Sequence, residues 1–150
     1  MAERDGEAVA WLDDLVALLR DNHADALEDG GGLPGEHTEK LYAACARPFH
    51  TAFGRYLFST PTLTIAALFH GIINGHVFMD GNKRTASITC LGLLAAFDYA
   101  PEHPSELQVR LLGEVAVETA SGGLDVEGAA VWVRRIFGPD PQPEPEFDDA

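Results

Sequence analysis

The residues best suited to chemistry lie in one run, HVFMDGNKRT, which begins at His76. An imidazole can take up a proton near neutral pH, so His76 is a candidate general base. Asp80 is the only carboxylate between residues 41 and 97, and Mg²⁺ commonly binds one or two carboxylates together with phosphate oxygens. Lys83 and Arg84 add two positive charges directly afterwards. The run therefore predicts a site for a phosphate-bearing ligand beside a proton acceptor.

The residues after the carboxylate indicate how such an anion would be held. A helix is predicted to begin near Asn82, and the first amides of a helix have no partner within it and lie at the positive end of its dipole. Gly81 allows a close approach of the backbone, and Arg84 can grip a phosphate through two parallel hydrogen bonds. We therefore assign phosphate binding to Gly81, Asn82, Lys83 and Arg84, and magnesium binding to Asp80.

Structural interpretations of the same residues stay open at this point. Asp80 could cap the following helix without a metal, and a lone histidine at a helix end is more often structural. Phe78 is interpreted as an anchor that buries its ring and fixes the loop. A P-loop is excluded because Asn82 stands between Gly81 and Lys83, where that motif has none. The coincidence of His, Asp, Lys and Arg within nine residues favours a functional site.

The elements that must position this run are predicted to be helices. Apolar residues recur at steps of three and four along most of the chain, which predicts an all-α fold. The third and fourth predicted helices are apolar nearly all round, so we expect them to be central and buried, with the run connecting them. The predicted helices cover residues 6–28, 38–46, 61–74 and 82–99, and two more follow N-caps at Ser105 and Asp125.

Length, charge and cysteine content narrow the class of protein. A chain of 150 residues with 46% hydrophobic residues predicts one domain, over residues 1–138. The net charge of −14 argues against binding nucleic acid or an anionic membrane. Two cysteines are too few for a disulfide framework, and the first residues lack a secretory signal, so we expect a cytoplasmic protein. Residues 139–150, with four prolines and five acids, predict a disordered tail.

Charge is distributed unevenly along this acidic chain. Residues 41–97 hold four bases and one acid, whereas residues 1–40 hold three bases and eleven acids. An anion could bind within residues 41–97 without like-charge repulsion. The alternative is that buried helices simply exclude carboxylates, and both explanations can hold at once.

The run from His76 resembles the signature of the Fic/Doc family, His-x-Phe-x-Asp/Glu-Gly-Asn-Gly/Lys-Arg. Two upstream segments, GGLPG at 31–35 and Ala-Arg-Pro at 46–48, resemble the Doc branch, the death-on-curing toxins. The resemblance implies a compact Fic/Doc-type helical domain with the active-site loop between two central buried helices. The matching positions are His76, Phe78, Asp80, Gly81, Asn82, Lys83 and Arg84.

The resemblance also implies roles for these residues. His76 would act as general base on a hydroxyl of a target protein, and Asp80 would hold Mg²⁺. A hairpin flap upstream would position the target peptide in extended form. That flap would lie within residues 49–58, an aromatic segment that could be a loop or a small β-hairpin, with Phe53, Gly54, Arg55 and Tyr56 as candidate residues.

Two departures from the family pattern bear on the reaction. Members that transfer AMP generally have Gly at the position of Lys83 and a second Arg at the position of Ser87. The Doc branch departs in the same way, which implies phosphoryl transfer from ATP, with a threonine of elongation factor Tu as the target and Lys83 neutralising charge on the transferred group. The alternatives are AMP transfer, a modifier of another molecule, or a non-catalytic binding module.

Control of such a toxin would come from another chain. Some family members carry an inhibitory Ser/Thr-x-x-x-Glu-Gly/Asn motif, and no serine or threonine of this sequence has that spacing. The resemblance to Doc toxins therefore implies a separate antitoxin chain as a partner.

Overall fold

The computed structural model describes residues 2–98 and 104–140, with side chains from residue 10 onward. Within these ranges the chain is built of α-helices, which confirms the predicted all-α class. A 3₁₀ turn, Arg47–Phe49, and a two-stranded hairpin of β1 (Thr51–Ala52) and β2 (Arg55–Tyr56) connect the second helix to the third. The helices are α1 (Ala2–Gly30), α2 (Thr38–Ala46), α3 (Pro61–Asn74), α4 (Asn82–Ala96), α5 (Glu106–Ala120) and α6 (Val126–Phe137).

Helix α3 is the centre of the core, as its composition predicts. It packs against α2, α4, α5 and α6, and Ile65, Phe69 and Ile72 are almost fully buried. Helix α4 lies between α3 and α1 but differs from the prediction of a helix buried nearly all round: it buries only one face, and Lys83 and Gly92 on its other side are exposed. The loop that connects these two helices is therefore held by the core at both of its ends.

Local capping signals account for the starts of three helices, α3, α5 and α6. The Thr60 hydroxyl accepts a hydrogen bond from the Leu63 amide at 3.2 Å, and Pro61 occupies the first turn of α3. Ser105 forms a capping box with Gln108 at the start of α5, and Asp125 caps α6 by accepting from the Gly128 amide at 2.7 Å. These predicted N-caps are confirmed.

The end of α4 differs from the prediction. The sequence predicted a helix as far as residue 99, before Pro101, but α4 ends at Ala96. Phe97 leaves the helical region at φ −96° and ψ 13°, and Asp98 is left-handed at φ 62°. A left-handed residue ends a helix whatever follows it, and Asp tolerates this conformation better than most residues.

The aromatic segment before α3 resolves into a hairpin. Phe53 and Gly54 form its two-residue turn with φ of 53° and 77°, the positive values that a tight hairpin turn requires. The Leu57 amide extends the pairing by donating to the His50 carbonyl at 3.0 Å. The hairpin alternative of the prediction is thus confirmed, and the Phe53 ring at its tip is fully exposed.

The predicted tail begins inside the described residues and continues outside them. Residues 141–150 lie outside the part of the chain that the structure describes. Asp140, the last described residue, accepts hydrogen bonds from the Thr62 amide at 3.0 Å and the Thr62 hydroxyl at 2.7 Å.

Every described helix is too short or too polar to cross a lipid bilayer.

Candidate active site

The loop between α3 and α4 forms one side of a pocket of about 350 Å³. Ile73, Met79 and Ala120 complete its wall. The structure thus brings together all of the residues predicted to do chemistry or bind phosphate and metal, namely His76, Asp80, Gly81, Asn82, Lys83 and Arg84.

His76 lies at the edge of the pocket with its side chain exposed. Its backbone is left-handed, with φ 48°, directly after the C-cap of α3 at Gly75. The two following residues, Val77 and Phe78, are buried in the core. The reversal of the backbone at His76, held by these buried neighbours, leaves the imidazole open to a ligand while the loop stays fixed.

Asn82 closes the loop with its side chain. The Phe78 amide donates to Asn82 Oδ1 at 2.9 Å, and Asn82 Nδ2 donates to the Phe78 carbonyl at 2.8 Å. Both polar ends of this carboxamide are therefore used within the loop. Asn82 can therefore offer a phosphate its backbone N–H and the second hydrogen of Nδ2.

The N-terminus of α4 is open to the pocket. Gly81 is its N-cap, with φ 81°, and within the described residues no side chain caps the helix. The amides of Asn82, Lys83 and Arg84 thus lack an intrahelical partner and a side-chain cap, which leaves donors and the positive end of the helix dipole available to an anion. The alternative in which Asp80 serves as the helix cap is wrong.

Asp80 is fixed at two points. The Leu33 amide donates to its Oδ2 at 2.7 Å, and its backbone carbonyl lies 2.8 Å from Nε2 of His23. Among the described residues, no hydrogen bond is made to the other carboxylate oxygen, Oδ1. Within residues 10–98 and 104–140, no cluster of three His, Cys, Asp or Glu side chains could hold a metal ion. One free carboxylate oxygen beside open amides is a donor set that suits Mg²⁺ shared with phosphate, because that ion needs few protein ligands.

The two cations differ in what they contact. Lys83 is exposed and lines the pocket. The Arg84 guanidinium donates to the carbonyl of Ala26 and, at 2.7 Å, to that of Gly31, so it ties α4 to the end of α1. A guanidinium has five N–H groups, so Arg84 keeps donors beyond these two bonds for a ligand in the pocket.

Sequence reasoning missed the support that the loop receives from α1 and residues 31–37. The Met79 amide donates to the Gly35 carbonyl at 3.0 Å, and the His37 amide donates to the Val77 carbonyl at 2.8 Å. Glu36, between these two bonds, forms a bidentate ion pair with Arg20 of α1, with both N–O distances at 2.8 Å. This ion pair holds the pKa of the Glu36 carboxyl below its ordinary value.

His23 is a second residue that the sequence analysis passed over. Its ring stacks on that of Phe78, with centroids 4.0 Å apart and planes 9° apart. The sequence carried a signal for it, because His23 shares the helical spacing of the apolar residues Val16, Leu19 and Ala26. The structure shows that all four residues of this stripe are buried. A histidine on an apolar face of a helix is predicted to be buried, and its ring nitrogens then need hydrogen-bond partners.

The flap candidates lie elsewhere. None of Phe53, Gly54, Arg55 and Tyr56 lines the 350 Å³ pocket. Tyr56 instead lines a larger apolar groove of about 610 Å³, together with Trp11, Phe49 and Phe58. An acceptor peptide paired with the hairpin would therefore have to continue beyond it to reach His76.

The two cysteines are not part of the site. Cys45 and Cys90 are buried, and burial raises the pKa of each thiol to about 12. Both are therefore protonated near neutral pH, and neither supplies a thiolate nucleophile.

Comparison with known families adds an independent finding. The chain matches the Fic/DOC family over residues 11–94, which is more than half of its length. The matched range begins within α1 and ends within α4, so it includes the whole loop, residues 31–37 and the open helix terminus. A search of the curated proteins found no match.

Proposed function

Because the chain belongs to the Fic/DOC family, which is generally a family of transferases, we propose that it moves the terminal phosphoryl group of ATP to a hydroxyl of a target protein. The observation that carries this proposal is the single pocket in which His76, Asp80 and the open amides of α4 meet. A proton acceptor, a carboxylate for a metal and an anion cradle are the parts that phosphoryl transfer requires.

Each residue has a defined task in this reaction. His76 removes the proton of the acceptor hydroxyl as the oxygen bonds to the phosphorus, and the bond from that phosphorus to ADP breaks. The amides of Gly81, Asn82 and Lys83 bind phosphate oxygens, and the Lys83 ammonium neutralises charge on the transferred group. Asp80 would hold Mg²⁺, which supplies further neutralisation of the phosphates when bound.

Phosphoryl transfer is favoured over AMP transfer by two residues. Lys83 stands where AMP-transferring relatives generally have glycine, and its exposed side chain lines the pocket. Ser87, one turn further along α4, has no positive charge to hold a second part of the nucleotide. A lysine beside the site of transfer suits a loose transition state, in which charge gathers on the oxygens of the moving group.

We further propose that the acceptor is a threonine of elongation factor Tu, so that the modification arrests translation in the cytoplasm. The hairpin supports recognition of an extended segment, because β2 is exposed at both of its residues and can pair with a peptide through its main chain. We also propose a separate antitoxin chain as the restraint on this activity, since the sequence has no inhibitory motif of its own.

Mass spectrometry tests the reaction. Purified protein is incubated with elongation factor Tu, ATP and Mg²⁺, and both the protein product and the nucleotide product are identified. We expect a phosphorylated threonine together with ADP. An adenylylated product with pyrophosphate would instead show nucleotidyl transfer, and no modification of any hydroxyl would refute the proposal.

A matched pair of histidine variants assigns the reaction to the pocket. His76→Ala should abolish transfer without lowering the melting temperature, because its ring is exposed. His37→Ala is the control, since the His37 side chain is also exposed and does not line the pocket. Full activity in His76→Ala would remove the general base from the mechanism.

A further inference from the structure

His23 contacts the active-site loop at two places with one ring. The side chain projects from α1, is only 8% exposed, and packs face to face on Phe78 at 4.0 Å. The same ring places Nε2 at 2.8 Å from the carbonyl oxygen of Asp80. Because the stacking fixes the plane of the ring, it also fixes the direction of the hydrogen bond.

The chemistry of this bond assigns the proton. A carbonyl oxygen can only accept, so Nε2 of His23 carries hydrogen and donates it to Asp80. This donor is buried, and among the described residues α1 makes no other hydrogen bond to the Asp80 main chain.

The geometry of the peptide bond passes this constraint to the pocket. The Asp80 carbonyl and the Gly81 N–H belong to one peptide unit, and all of the described peptide bonds are trans. In a planar trans peptide the C=O and N–H point in opposite directions. Holding the Asp80 carbonyl toward α1 therefore turns the Gly81 N–H away from α1, on the loop that lines the pocket.

We propose that His23 is a positioning residue that aims the Gly81 amide and the Asp80 carboxylate at one bound magnesium nucleotide. The Leu33 amide holds Oδ2 of Asp80 at 2.7 Å, so His23 and Leu33 together fix this residue at its main chain and at its carboxylate. The role rests on the proposed function, because it concerns the binding of MgATP in the pocket beside His76.

Three variants separate positioning from general stability. His23→Phe keeps an aromatic ring on Phe78 but removes the donor, whereas His23→Gln offers an amide donor in place of Nε2. Asn22→Leu is the control: Asn22 is the preceding residue of α1 and donates to the Thr89 hydroxyl of α4 at 2.9 Å, away from the loop. Both His23→Phe and Asn22→Leu lose one hydrogen bond between α1 and its neighbours.

Calorimetric titration with MgATP is the first measurement. We expect His23→Phe to weaken binding about three- to tenfold, the loss typical of one hydrogen bond, and His23→Gln to recover part of it. Asn22→Leu should bind MgATP as the wild type does, although its melting temperature also falls. Equal affinity in His23→Phe and the wild type, or an equal loss in Asn22→Leu, would overturn the proposal.

A nuclear magnetic resonance measurement on the nucleotide-free protein tests the geometry by itself. We expect the His23 imidazole to carry its proton on Nε2, and the Gly81 amide resonance to shift in His23→Phe but not in Asn22→Leu. An unshifted Gly81 amide would refute the positioning role even if the protein binds MgATP. A wild type with the expected resonances that fails to bind MgATP would refute the proposed function, and with it the role in binding.

Discussion

Replacing Asn82 by alanine should destabilise the protein, because the Asn82 side chain closes the active-site loop. Glu36 and Phe78 face each other in an isolated antiparallel bridge whose hydrogen bonds are made by the residues on either side. The N–H and C=O of Phe78 are therefore left to the Asn82 side chain, at 2.9 and 2.8 Å. Phe78 is only 2% exposed, so both groups are shielded from solvent and depend on the Asn82 side chain for their hydrogen bonds.

The expected magnitude follows from these contacts. Leaving a buried main-chain group without a partner costs about 1–3 kcal/mol, and the variant leaves two such groups. The better helix propensity of alanine returns less than about 0.7 kcal/mol. We expect the free energy of unfolding to fall by about 1–6 kcal/mol once both terms are combined.

Urea denaturation followed by tryptophan fluorescence measures this loss. Asn22→Ala is the matched control, because Asn22 makes one side-chain hydrogen bond, at 2.9 Å to Thr89, and should cost about 1 kcal/mol. The slope of the unfolding free energy against urea should be unchanged in both variants, since the surface exposed on unfolding is similar. A loss in Asn82→Ala no larger than that in Asn22→Ala would refute the argument that the side chain closes the loop.

Two further outcomes are expected. Gly81→Ala should lower the free energy of unfolding by about 1–2 kcal/mol in the same assay, because Gly81 is left-handed at φ 81°. An added Cβ would meet only ordinary contacts, at 3.5 Å or more, so the loss comes from the backbone conformation. No loss would show that the loop adopts another backbone. Stability that depends on the Arg20–Glu36 pair should be complete above the ordinary Glu36 pKa of 4.5 and be lost as pH falls through the lowered value, because protonation breaks the pair. Urea midpoints between pH 7 and pH 3 should thus fall less steeply in Glu36→Gln, and an identical pH dependence would contradict this.

The helices and most of their ends could be predicted from the sequence because their signals are local. The Thr60 and Asp125 caps each act on an amide three residues away, so a short window of sequence contains both partners. The end of α4 could not be predicted in this way. The left-handed Asp98 follows the end of this helix, and an aspartate is a weaker sequence signal for a helix end than the proline at position 101.

The composition of the site was also accessible from the sequence, since its chemical groups lie within nine consecutive residues and needed no folding to be brought near one another. What each group contacts depended on the tertiary structure. Asp80 is held by His23 and Leu33, 57 and 47 residues earlier in the chain, and Arg84 by carbonyls at the end of α1. Periodicity predicts which face of a helix is buried, but the partner of a buried polar group is decided only when distant segments pack together.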